Sequence, residues 1–542
     1  EHPCYNINKV YLDAYTQYTT PGGERYPDAQ AELRERVEKG LLLVNYTGHG
    51  GEVGWAHERL LDVSTILGWT NLERLPLFMT ATCEFSRWDD PARTSAGELV
   101  FLNPDGGGIA LMSTTRLAFS SQNYALAQYF YDHVFDTQDD QGRTVRLGDI
   151  YRRTKVDITT SQGNQTNHRN FVLLGDPSTR LAQPRNKSII TSITDTLGNP
   201  IDTISALATV RISGQVVDLN NQVLSDFNGQ VIPTVFDKKV TVSTLANDGG
   251  SPFNFGLRKN IIYRGRATVT NGLFSFTFVV PKDIQYQVGP GRISVYAESP
   301  STNACGYDNE PLVGGTSSNV LTDEAGPRIE LFMNDERFVP GGITDESPLL
   351  FAKLFDDNGI NTLGNSIGHD IVAVVDANTE QALVLNDRYE ADLDTYKSGK
   401  VRYRFKDLTE GTHTLDLKAW DVFNNSSTKS TEFVVAPSAE LALEHVLNYP
   451  NPFTTHTEFY FEHNRPCSTL DVQVQVFTIA GRLVKTINRS LACDGFRSEP
   501  MAWDGLDDQG DKLGRGVYVY RLAIATPEGE KADTFEKLVI LR

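Results

Sequence analysis

Two apolar runs decide the fold of this chain: LLLVNYTGHGG at Leu41–Gly51 and PLFMTATCEF at Pro76–Phe85. Each begins as an unbroken apolar run of strand length and stops abruptly at small or polar residues. A run that does not alternate suits a parallel strand buried on both faces. Each delivers a chemically capable side chain just past its end, His49 in the first and Cys83 in the second. In open α/β sheets the ligand crevice lies beyond the carboxyl ends of the strands. Adjacent strands are about 4.8 Å apart, so as neighbours these two would bring His49 and Cys83 to one crevice. A cysteine nucleophile needs a base or cation beside it, because the thiolate attacks and the thiol does not. Gly48, Gly50 and Gly51 let the backbone approach a substrate closely. The amides of Gly50 and Cys83 could then bind a developing oxyanion. The alternative is a buried structural cysteine beside a glycine-rich turn.

Working outward, Lys9–Tyr15 reads as a strand. Asp28 can cap a helix that runs to Lys39 and stops at Gly40. Ser95–Leu102, Ser120–Phe135 and Leu147–Val156 read as helices, with Leu126, Phe130 and Val134 on one face of the second. Gly108–Ser113 and Asn170–Leu174 read as further strands. Strands alternating with helices predict a parallel sheet covered on both sides. Thr82 and the segment Ser113-Thr114-Thr115-Arg116 leave the sheet at the same end as His49 and Cys83. They are candidates for a substrate-binding wall of that crevice, or an ordinary polar turn. His57 competes with His49 as base, but lies further from the strand end and lacks glycine flanks. His133 reads as a packed or half-exposed helix residue.

The pattern Asn45-Tyr46-Thr47-Gly48-His49-Gly50-Gly51, followed by Ala81-Thr82-Cys83, resembles the gingipain family of caspase-like cysteine peptidases. The run Asn170-Phe171-Val172-Leu173-Leu174-Gly175-Asp176-Pro177-Ser178 resembles the strand that closes their catalytic domain. The resemblance covers roughly residues 8–184. It implies His49 as catalytic histidine and Cys83 as nucleophile. It also implies an acid that orients the histidine and lies well before it, upstream of Glu1. Asp13 and Glu52 are the local substitutes. Glu1-His2-Pro3-Cys4 reads as a start in mid-protein.

A chain of 542 residues exceeds one core. No apolar stretch approaches the ~18 residues of a membrane span. The net charge of −19 argues against a nucleic-acid partner, which needs a basic face. Of five cysteines, Cys83 is expected to be free, and Cys467 with Cys493 forms the favoured pair among the other four. After Pro184 the helical pattern gives way to short alternating runs. The expected organisation is an α/β caspase-like catalytic unit at 1–184, then β-sandwiches at 185–325 and 326–436 and a third unit at 437–542. Asp356-Asp357-Asn358-Gly359 reads as an acidic turn that could hold structural calcium; catalysis itself is expected to need no cofactor.

In the last unit, Tyr449-Pro450-Asn451-Pro452-Phe453, the strand Gly516-Val517-Tyr518 and the ending Lys537-Leu538-Val539-Ile540 together resemble the C-terminal signal domain of type IX secretion cargo. Gingipain-like catalysis joined to such a domain resembles the surface sortases of that system. The resemblance implies an outer-membrane location on the extracellular face. It implies cleavage of cargo signal domains through a Cys83 thioester, with transfer of the new C-terminus to an amine on anionic lipopolysaccharide. The implied docking partner is a PorV-like outer-membrane β-barrel. The rival readings are a secreted protease that only hydrolyses, and a surface adhesin or scaffold with an inactive caspase-like domain.

Overall fold

The computed structural model describes residues 2, 4–138, 145–163, 166–317, 322–364, 368–436, 441–465, 468–493, 495–527 and 529–541. The strands Leu43–Thr47 and Leu77–Ala81 are parallel neighbours at one side of a four-stranded sheet. Ala110–Thr114 pairs parallel with the second of these, and Phe171–Leu174 adds at the edge. This last strand runs antiparallel, where alternation with helices predicts a parallel one. The short Thr166–Asn170 helix turns the chain back at the carboxyl end of the sheet, so it enters the strand from the opposite direction.

The strand Leu77–Ala81 is buried throughout, as its uniform apolar sequence requires. Phe78 faces a layer built from Ala29, Leu33 and Val37 of the Pro27–Lys39 helix and Val100 of the Ala96–Leu102 helix. Leu77 and Met79 face a second layer with Leu126, Phe130, Ile150 and Ile158 of the Ser120–His133 and Leu147–Gln162 helices. Each such side chain contributes about 1.5–3 kcal/mol on burial, so the sheet that aims His49 and Cys83 is held from both sides.

The helix boundaries show where local rules hold. Ser95 forms a capping box with Glu98. Gly40 ends the first helix with φ of 91°. Asp28 is not the cap of that helix: Pro27 occupies its first position after Tyr26, and Asp28 falls inside the first turn. Lys9–Tyr15 does not form the expected strand. Leu12–Ala14 is a short 3-10 turn, because Asp13 is held by the neighbouring β-domain. Its carboxylate accepts the N–H groups of Ala246 at 3.0 Å and Asn247 at 2.8 Å.

The remaining chain is β-structure. Between Asn186 and Thr316 the main strands form one continuous ladder, and Gly229–Phe236 pairs with both Ala267–Thr270 and Arg292–Glu298. The ladder thereby closes on itself around Val210, Ile212, Val231 and Val295, where two separate sheets were expected. Residues 328–435 form two facing sheets, with Leu331, Ala352 and Val401 packed against Leu415, Leu417 and Phe433. Residues 443–540 repeat this with Phe459, Phe461 and Trp503 against Val472, Val474, Tyr520 and Leu522. The boundary expected at 436/437 adjoins 437–440, outside the described residues.

Cys4 is disulfide-bonded to Cys305, joining the start of the chain to the first β-domain. Cys83 is free. The expected Cys467–Cys493 pairing involves Cys467, which lies outside the described residues. The Pro27–Lys39 helix also reaches the second β-domain, where Lys39 meets Asp387 at 2.9 Å.

Candidate active site

Thr47 lies opposite Ala81 in the parallel ladder. His49 and Cys83 each follow two residues later, so register alone carries both to the same level beyond the sheet. The backbone of His49 is then pinned from two sides. Tyr46 donates its hydroxyl to the His49 carbonyl at 2.6 Å, and Ala56 donates its N–H to the same oxygen at 2.8 Å. The Tyr46 ring lies flat on the buried Trp55 ring, with centroids 4.4 Å apart and planes 1° from parallel. The imidazole itself is exposed.

Because His49 is bonded to Ala56, Gly50 faces Trp55 as the next pair of the small hairpin. In an antiparallel ladder such pairs alternate, which turns the Gly50 amide out of the ladder. Gly50 also packs tightly on the cysteine loop: a Cβ there would lie 2.6 Å from Thr82 Oγ1. Among the described residues, no acceptor is found for the Cys83 amide. Among the described residues, both amides expected to bind an oxyanion are therefore without an acceptor.

On the cysteine side, Thr114 donates its hydroxyl to the Thr82 carbonyl, and Ser86 N–H donates to the Thr114 carbonyl at 2.9 Å. Glu84 follows Cys83 with φ of 51°, reversing the chain immediately after the thiol. The half-buried Cys83 sulfur meets one residue twice. The Ala118 N–H points to Sγ at 3.4 Å and the Ala118 carbonyl lies 3.5 Å from it.

The residues anticipated as a pocket wall are mostly interior. Thr82, Ser113 and Thr114 are at most 1% exposed. Thr80 donates its hydroxyl to Ser113 at 2.6 Å, and Thr114 is committed to Thr82. The hydroxyls of Thr80, Ser113 and Thr114 tie adjacent strands together and do not line open space. Thr115 is half-buried and donates to the Asn170 carbonyl at 3.2 Å. The exposed side chains of this segment come after them, at Arg116, Leu117 and Phe119, with Leu117 62% and Phe119 63% exposed. Arg116 holds Asp89 of the cysteine loop in a two-point ion pair at 2.9 and 2.6 Å.

His57 stands closer to the site than its sequence position suggests, its ring stacked over His49 with centroids 5.9 Å apart. His133 is half-buried and bonded to Asp157 at 2.6 Å, a structural role. Neither local acid orients His49. Asp13 is committed to Ala246 and Asn247, and Glu52 is clasped by Arg87 at 2.6 Å and Arg93 at 3.3 Å. Among the described residues no carboxylate is hydrogen-bonded to the His49 ring.

Sequence reasoning missed Ala118 and the segment behind it. Asn167 and Asn170 grip the backbone on either side of Ala118. The signal for Asn170 was its place at the head of the closing-strand motif; Asn167 carried none.

Three carboxylates, Asp323, Asp356 and Asp421, converge within 4.8 Å and could hold a cation. Burial, helped by the neighbouring Asp421 and Asp323 charges, raises the Asp356 carboxyl to about 6. Asp357 is not one of the three and pairs with Lys397 at 3.2 Å.

Residues 1–182 match peptidase family C25. This match covers the part of the chain that carries His49 and Cys83. The chain is also PorU-like. It is 30% identical to dimeric latent PorU from Porphyromonas gingivalis, over 80% of this chain and 41% of that one, with a TM-score of 0.32. It is 15% identical to the complex of Porphyromonas gingivalis RgpB pro- and mature domains, over 51% of this chain and 57% of that one, with a TM-score of 0.27. The Arg-specific cysteine proteinase gingipain R is likewise 15% identical, over 53% and 56%, at a TM-score of 0.27. The chain thus spans less than half the length of the PorU structure. No curated protein matches it. Among the described residues no helix is long and apolar enough to cross a membrane.

Proposed function

We propose that this chain is a cell-surface cysteine sortase that removes C-terminal signal domains from type IX secretion cargo. The observation that supports a catalytic reading is the shared register of His49 and Cys83 beyond two parallel strands. The Cys83 thiolate attacks the scissile carbonyl. Its electron pair forms the C–S bond while the carbonyl π pair moves to oxygen, where the Gly50 and Cys83 amides receive it. One well-placed donor of this kind contributes about 3–4 kcal/mol. The oxyanion collapses, the C–N bond breaks, and the His49 imidazolium gives its proton to the departing amine. A thioester remains. An amine on anionic lipopolysaccharide attacks it, His49 takes the amine's proton, and the sulfur leaves as thiolate. Water at the same point would give hydrolysis. The proposed setting is the extracellular face of the outer membrane, with a PorV-like β-barrel as docking partner.

The test is a model cargo carrying a signal domain, incubated with and without an amine acceptor, with the new C-terminus identified by mass spectrometry. An amine-linked product formed by the wild type and absent with Cys83→Ala is expected. A free carboxylate alone, with acceptor present, would reduce the activity to proteolysis. No cleavage by either protein would contradict an enzymatic role.

A further inference from the structure

The Ala118 peptide that touches Cys83 is held by a clamp of two asparagines. Asn170 donates its side-chain N–H to the Leu117 carbonyl at 2.9 Å. Asn167 accepts the Phe119 N–H at 2.8 Å. The residue between these grips, Ala118, presents both its N–H and its carbonyl to the Cys83 sulfur. The clamp is itself anchored. Asn167 is 1% exposed and donates to the Asn123 side chain at 3.1 Å, a bond buried at both ends. Lys155 donates to the backbone carbonyls of His168 and Phe171, fixing the segment at both sides of Asn170. Thr115 N–H donates to the Asn170 carbonyl at 2.9 Å, so the clamp also grips the loop ahead of Leu117.

From this geometry we infer that Asn167 and Asn170 are positioning residues for the nucleophile: they hold the Leu117–Phe119 turn so that the Ala118 amide orients Cys83 Sγ. The inference rests on the peptidase reading of Cys83. In the thiol state the S–H donates to the Ala118 carbonyl while the N–H of the same residue points to sulfur. Once the proton has gone to His49, the N–H remains as donor to the thiolate. A turn freed from either asparagine swings on its exposed Leu117 and Phe119 side and loses that alignment. Misplacing a reacting group by about 1 Å can cost up to a hundredfold in rate.

The experiment measures alkylation of Cys83 by iodoacetamide against pH, followed by peptide mapping so that only Cys83 is counted. Asn170→Asp preserves size at a half-buried position but replaces the donor facing the Leu117 carbonyl with an acceptor. It should slow Cys83 about tenfold and change the pH profile, while the melting temperature stays near that of the wild type. Asn170→Gln keeps the donor and should recover most of the rate. Asn167→Ala should slow the reaction as well. The inference is overturned if the wild-type thiol reacts faster than an ordinary peptide cysteine and both Asn170→Asp and Asn167→Ala match it. A wild-type Cys83 no faster than a peptide thiol would overturn the peptidase reading, and the positioning role with it.

Discussion

Gly50→Ala isolates the contact between the loops that carry His49 and Cys83. Its added Cβ would lie 2.6 Å from Thr82 Oγ1 and 2.8 Å from the Gly54 carbonyl oxygen. Both separations are below any normal carbon–oxygen contact. The Gly54 oxygen is backbone in the same small hairpin, and Thr82 is buried directly before Cys83. The Gly54 oxygen is fixed in the backbone, and turning the Thr82 side chain would leave its Cγ2, already 3.3 Å away, against the new methyl, so the loops must shift. Overpacking of this sort costs about 1–3 kcal/mol of stability. A displacement of about 1 Å between His49 and Cys83 would cost on the order of a hundredfold in acylation rate. Gly51 supplies the internal control, because a Cβ there meets nothing within 4 Å. Single-turnover release of the signal domain, with thermal melting alongside, would measure both effects. Gly50→Ala should lose about two orders of magnitude in rate, and Gly51→Ala should stay within a few-fold of the wild type. Equal activity in all three proteins, or equal loss in both variants, would refute the packing argument.

Other consequences concern stability. His463 is fully buried, and burial together with the nearby Arg337 charge pushes its imidazole down to about 4. Its folded value lies below the unfolded value of 6.5, so stability is complete above pH 6.5 and falls as pH drops toward 4. Acid should therefore remove up to about 3 kcal/mol, and His463→Gln should flatten that pH dependence of melting. Cys4→Ser should lower stability by about 2–4 kcal/mol and speed amide exchange in the N-terminal segment, whereas unchanged exchange would count against the disulfide's anchoring role. In the absence of divalent cations, Asp356→Asn should raise the melting temperature. It removes one of three converging carboxylates yet keeps an oxygen for the N–H groups of Asn358 and Asn358's neighbour Gly359. A lower melting temperature would contradict this electrostatic account.

The parts of the fold legible in the sequence were those set by local chemistry. The uniform apolarity of Leu77–Met79 announced a strand buried on both faces, and the stretch Ser95–Leu102 announced a helix, which the structure places at Ala96–Leu102 after a Ser95 cap. His49 and Cys83 were legible as residues just past the ends of two apolar strands, but the pairing of those strands, Thr47 opposite Ala81, had to come from the structure. What sequence did not show depends on partners distant along the chain. Asp13 turns away from a strand to meet Asn247. Gly229–Phe236 pairs on both edges and closes a ladder that alternation alone cannot distinguish from a sandwich. Ser113 and Thr114 looked like pocket residues because they are polar, but their hydroxyls join strands in the interior. His57 looked remote until the hairpin folded it back over His49.

The central claim is that His49 and Cys83 act together. The most direct measurement is the rate at which a peptidyl chloromethyl ketone labels Cys83 in the wild type, His49→Ala and His57→Ala. Rapid wild-type labelling, a loss of about a hundredfold or more in His49→Ala, and little change in His57→Ala are predicted. Labelling of His49→Ala at the wild-type rate, or a greater loss in His57→Ala, would contradict the account.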